Sequence, residues 1–227
     1  EDIADQLPIE LDGLAKWDLG ERMLTARLTG ADPASLRAAE WRRGSLPPFA
    51  FGAAVLDEVE GTVDTLVRTA LPDYEAPPRA VDIAVDLGNG RTLAGTVPEV
   101  RGETLVRTTY SRLAPKHRLA AWVSLLALAA TEDRSWRAIS TGRGQFRSRP
   151  VARSVIVAPE PPAALAILRD LVRLREEGLC APLPVAPAAT AACAERRFRG
   201  DSIADALLAA EHAFDGGPNG PDKFGDH

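Results

Sequence analysis

Residues 81–110 read VDIAVDLGNGRTLAGTVPEVRGETLVRTTY, and their reading decides the fold. In VDIAVDL, Val81, Ile83, Val85 and Leu87 alternate with small or charged residues, a period of two that marks a half-buried strand. Asn89-Gly90 follows, a pair in which both central residues tolerate positive φ, as a tight hairpin requires. TLAGTVPEV (92–100) returns, RGE turns again, and TLVRTTY (104–110) forms a third strand. The stretch therefore predicts a three-stranded antiparallel meander.

Downstream, APKHRLAAWVSLLALAA (114–130) has apolar residues around most of its circumference, as a helix buried on several sides does. SWRAISTG and PVARSVIVA read as two more strands. PPAALAILRDLVRLREEG (161–178) is an amphipathic helix with Pro at its start and Gly178 at its end. A Pro/Ala-rich connector (181–191) leads to DSIADALLAAEHAF, a last helix capped by Asp201 or Ser202, and the tail from residue 216 reads as irregular. Upstream, LDGLAKWDLGERMLTARLTG reads as a helix stopped at Gly30, and AAVLDEVEGTVDTLVRTAL as a second. PDYEAPP (72–78) connects that helix to the sheet. The order predicts an α/β (α+β) fold, a mixed central sheet of about five strands flanked by helices. One domain over 1–227 is expected, with a helical part (1–71), a sheet with its buried helix (79–160), C-terminal helices (161–215) and the tail (216–227). The opening Glu-Asp-Ile, with no initiator Met or leader pattern, reads as a piece of a longer chain.

Composition narrows the classes. The chain has 227 residues, 45% of them apolar, enough to bury a core. A net charge of −5 provides no overall attraction to nucleic acid or anionic lipid, so any such contact is local. Cys180 and Cys193 lack metal-ligand spacing. The longest uncharged apolar run, Leu119 to Ala130, falls short of the roughly 20 residues a membrane span needs. These features predict a cytoplasmic protein with no membrane contact. GNG and TGRG lack the Gly-x-x-x-x-Gly-Lys spacing of a phosphate loop.

The block from Val81 to Ala130 resembles the core of the PD-(D/E)XK nucleases in their RecB-like branch. The resemblance rests on Leu93, Gly95 and Val97 in one strand, Leu105 and Val106 in the next, and the helix after them. LDGLAKWDLGERML, RRGSLPPFAFG, LVRTTYSRLAPKHRLAAWVSLLALAA and TGRG, in that order, are similar to the C-terminal domain of exodeoxyribonuclease V gamma subunits, the RecC family. That resemblance implies a nuclease-like fold without nuclease chemistry. It places the domain in an ATP-dependent helicase–nuclease that processes double-strand breaks, with RecB, RecD and double- and single-stranded DNA as partners. ATP and Mg²⁺ are then expected only in the partner subunits, and no metal or cofactor here.

The resemblance also implies degenerate positions: Pro98 and Arg107 where the family's carboxylates stand, Thr109 for its Lys, and Arg118 and Trp122 for a Gln-x-x-x-Tyr. Residues 107 and 109 share a strand face, so the geometry would serve, but Arg107 keeps its charge and repels Mg²⁺. Glu99 is one residue out of phase and faces away unless Pro98 induces a bulge. His117 reads as a surface residue at a helix start, and Trp122, Trp17 and Trp41 as packing residues. Between Arg101 and Arg153 stand eleven basic and three acidic residues, the best internal sign of a polyanion-facing surface. Arg112, Lys116, Arg143, Arg147 and Arg149 are the DNA-binding candidates, the last three in a glycine-containing loop suited to tracking phosphates. Phe146 either stacks on a base or tucks against the domain. Three functions stay open: a structural and DNA-guiding domain, a metal nuclease with relocated ligands such as Glu99, and a pure protein-interaction module.

Overall fold

The structure is a computed structural model and describes residues 11–146, 148–183 and 186–215. The chain begins with α1 (Gly13–Leu28), whose Asp12 cap accepts from the Ala15 amide at 2.7 Å. Next comes α2 (Pro33–Arg43), with Asp32 capping Ser35, Pro at its first turn and Gly44 at φ 72° closing it. This helix is absent from the sequence reading because little of it is apolar. Its one buried residue is Glu40, which pairs with Arg22 of α1 at 2.9 Å and with Arg43 at 3.3 Å. The long helix α3 (Phe49–Ala70) ends in a 3-10 turn at Leu71–Tyr74.

β1 (Arg79–Gly88), β2 (Arg91–Arg101) and β3 (Thr104–Arg112) form the expected antiparallel meander. Asn89 and Gly90 turn the first hairpin at φ 54° and 72°, both positive as the dipeptide predicts. After β3 the chain crosses through α4 (Pro115–Thr131), and β4 (Arg137–Phe146) returns parallel to β3. β5 (Arg149–Val157) closes the sheet antiparallel to β4, in the order β1-β2-β3-β4-β5. Three helices follow: α5 (Pro161–Cys180), α6 (Pro187–Phe198) and α7 (Ile203–Asp215). The Ser202 hydroxyl accepts from the Asp205 amide, so Ser202 caps α7. The Pro/Ala-rich stretch expected as a connector to residue 191 is α6 from Pro187 onward; Pro at the first turn starts a helix, and alanine sustains it. The tail expected to be irregular lies outside the described residues.

Two apolar clusters cover opposite faces of the sheet. Val81, Ile83, Val85, Val97 and Leu105 pack with Leu125, Leu126 and Leu128 of α4 and with Leu168 of α5. Tyr110 packs with Leu19, Met23 and Leu24 of α1 and with Leu56, Val59, Val63 and Leu66 of α3. Leu105 and Tyr110 lie five residues apart on β3, so alternation sends them to opposite sides. Trp136 is the most enclosed aromatic, completely buried with its indole N–H donating to the Glu132 carbonyl at 3.0 Å. Trp122 and Trp17 are only half-buried, and Trp41 is partly exposed. Among the described residues no helix is long and apolar enough to cross a membrane.

Candidate functional site

β2 departs from regular pleating at Pro98-Glu99. Arg79 pairs with Val100 and Val81 with Val97, so two residues of β2 stand opposite Ala80 alone. This is a β-bulge, and Glu99 takes the left-handed φ of 58° that a regular strand residue avoids. The bulge reverses the facing expected from simple alternation. Glu99 lines a cavity at the β2–β3–β4 junction, and Pro98 does not.

That cavity measures about 670 Å³. Arg107 and Thr109 of β3, Arg101 of β2, Thr141 of β4, and Lys116 and His117 of α4 line it, with Leu28 of α1 and Tyr74 closing its side. Arg107 is half-buried; its guanidinium donates to the Ser124 hydroxyl at 2.9 Å, and burial lowers its pKa without an acidic group to offset the effect. Thr109 donates to Glu21 of α1 at 3.0 Å, and the same carboxylate accepts the Tyr110 amide at 2.7 Å. Glu99 is held by Arg101 at 3.3 Å, while Arg101 also donates to the Tyr74 and Ala76 carbonyls and stacks over the Tyr74 ring at 4.3 Å.

His117 is not the surface residue expected. It is half-buried and lines the cavity, and its Nδ1 accepts from the Ala114 amide at 3.0 Å, closing the first turn of α4. Burial, with Lys116 beside it, lowers its pKa from the usual 6.5.

Arg118 and Trp122 lie elsewhere. Helical spacing gives the cavity His117 and Ala120 and puts Ser124 beside Arg107, while Arg118 and Trp122 turn toward α6, where Arg118 pairs with Glu195 at 2.7 Å. The five positions singled out by the resemblance are thus divided: Arg107 and Thr109 come together, and Pro98, Arg118 and Trp122 stay apart from them. Glu21 and Tyr74 belong to the neighbourhood without any sequence signal, because the tertiary fold brings them to β3 from distant elements.

The basic run is partly neutralised, mostly by acids outside itself. Arg153 pairs with Asp73 at 2.7 Å, Arg118 with Glu195, Arg101 with Glu99, and Arg134 with Glu132 at 2.8 Å. Among the described residues Arg107, Arg112, Lys116, Arg143 and Arg149 have no ion-pair partner. Arg112 and Arg149 are exposed; Arg143 instead lies over the Tyr110 ring at 4.6 Å. Arg147 lies outside the described residues.

The glycine-containing stretch expected as a flexible loop is the end of β4, paired with β5 through Phe146 and Arg149. Its glycines serve close approach. A Cβ on Gly142 would stand 2.8 Å from the Ser111 carbonyl oxygen, and one on Gly144 would overlap the Arg149 carbonyl. Phe146 is 68% exposed rather than tucked in.

Mg²⁺ needs several oxygen ligands, and this donor set does not suit it. The cavity lining holds one carboxylate, Glu99, against the cations Arg101, Arg107 and Lys116. No three His, Cys, Asp or Glu side chains gather into a metal-holding group among the described residues. What the arrangement suits chemically is an anion.

Residues 1–198 match the family model described as the RecC C-terminal domain. The chain is 42% identical over 199 residues to the RecBCD enzyme subunit RecC of Mycobacterium tuberculosis (strain ATCC 25618 / H37Rv), covering 87% of this chain and 18% of that protein. It is 40% identical over 202 residues to the same-named subunit of Mycolicibacterium smegmatis (strain ATCC 700084 / mc(2)155), covering 88% of this chain and 18% of that one. The subunit of Escherichia coli (strain K12) is 25% identical over 212 residues, 91% of this chain and 18% of its own. The chain thus spans less than a fifth of the length of these relatives.

Proposed function

Because the chain belongs to the RecC C-terminal domain family, we propose that it is a non-catalytic, nuclease-like part of a RecBCD-type helicase–nuclease. It supports assembly with RecB and RecD and guides DNA strands during double-strand-break repair by homologous recombination. The relatives' shared name, RecBCD enzyme subunit RecC, supports the choice of complex. The observation that carries the non-catalytic reading is the cavity beside β3, where a cation, Arg107, occupies the strand position a metal-binding carboxylate would need. The parallel β3–α4–β4 crossover behind it supports a scaffold of degenerate PD-(D/E)XK type.

The bulge that turns Glu99 into the cavity favours one competing reading, a metal nuclease with relocated ligands. Incubating the full chain with linear DNA and Mg²⁺ or Mn²⁺ separates the two. No cleavage is expected, and cleavage lost on Glu99→Ala would establish the competitor. For guidance, the assembled complex carrying Arg112→Glu and Arg149→Glu should bind forked DNA more weakly. Its salt slope should fall by about one for each phosphate contact removed. Unchanged binding with failed assembly would instead make this a protein-interaction module.

A further inference from the structure

The cavity beside β3 contains charge and donors that the fold does not use. Arg107 is half-buried, bonds one neutral hydroxyl, and faces no carboxylate within ion-pair distance among the described residues. Removing a cation from water without a counter-ion is costly, and arginine cannot avoid the cost by losing its proton. Lys116, on the α4 side, is likewise without an ion pair. Thr141 also lines the cavity, but it stands in register with Thr108, so its side chain faces the opposite side of the sheet from Arg107 and takes no part in an anion site there. The apolar part of the wall is made by Leu28, Val106, Leu113 and Ala120. A volume of about 670 Å³ falls within the range of pockets that enclose small molecules.

We infer that this cavity seats a phosphate-bearing nucleotide unit. Arg107 and Lys116 meet the phosphate oxygens, and the apolar part of the wall receives sugar and base. Two free cations suit a group with several anionic oxygens better than a single carboxylate. The space also exceeds what an acidic side chain from a partner protein would fill. Glu99 does not compete for the cations, since Arg101 already holds it. A free nucleotide and one unit of a DNA strand share this chemistry. Only the second source rests on the DNA-guiding reading above.

Titration calorimetry on the full chain tests the seat with thymidine 5′-monophosphate, thymidine and a six-residue oligothymidylate. The monophosphate should bind and the nucleoside should not. Arg107→Gln should weaken binding roughly tenfold or more, the usual loss for a hydrogen bond to a charged group. Arg107→Lys should recover part of it, and Arg173→Gln on α5 should change nothing. Lys116→Gln, at an exposed side chain, keeps the test available if Arg107→Gln does not fold. Binding of the oligonucleotide alone, lost in the Arg107 variant, identifies a DNA strand as the source. Phosphate binding that ignores Arg107 and Lys116, no phosphate binding, or capture of hexaglutamate in its place overturns the inference. Complex assembly is read separately, so failure here is distinguishable from failure of the proposed function.

Discussion

His117 shows how much a single residue changes when its surroundings are known. As a sequence position it is a histidine after a proline and a lysine; in the fold its Nδ1 completes the first turn of α4, and burial disfavours its charged form. A lowered native pKa means that the unfolded chain takes up the proton first. Stability from this group is therefore complete above about pH 6.5 and declines as pH falls through the lower native value. Denaturant titrations at stepped pH should show that decline, and His117→Asn should flatten it; an unchanged profile would assign the dependence to other groups. Arg107 and Thr109 were legible as a same-face pair because a strand repeats every two residues. Glu99 was not legible. Its facing depends on a bulge, and a sequence containing Pro98 permits a bulge without requiring one.

At the scale of elements, close approaches decide more than propensities do. α1 lies against β3 because Gly20 has no side chain there: a Cβ would overlap the Tyr110 ring. Gly20→Ala, usually favourable inside a helix, should instead destabilise the protein by about 1–3 kcal/mol, as overpacking does. A denaturant midpoint equal to or above that of the parent would show that α1 and β3 can separate without cost. The elements with strong periodicity, β1 to β3, α4 and α5, were readable within a few residues. α2 and α6 were not, since neither has a wide apolar face; α2 is held by caps and by Glu40, and α6 by Arg118–Glu195 and its packing with α7 and α4. The 141–146 segment was misread for the opposite reason. Its glycines resemble a loop, yet they allow β4 to pass close to the backbone of Ser111 and Arg149.

For the whole molecule, one sheet with a cluster on each face implies that each cluster bears on stability. Leu66→Ala, in the α1–α3 cluster, and Leu125→Ala, in the α4–α5 cluster, should each cost about 2–5 kcal/mol. Urea unfolding read by Trp fluorescence and by circular dichroism checks both, and a negligible loss in either would show that its cluster is not a tight core. The amino-acid order alone determined the meander, the buried helix after it and the absence of carboxylates from β3, because these follow from local period and residue identity. Only the tertiary structure decided which residues share the cavity. Glu99 enters through a bulge, Arg118 and Trp122 leave by helical phase, and Tyr74 and Thr141 arrive from elements far along the chain. Side-chain direction beyond a strand's own period is set by what packs against it, and that information is non-local.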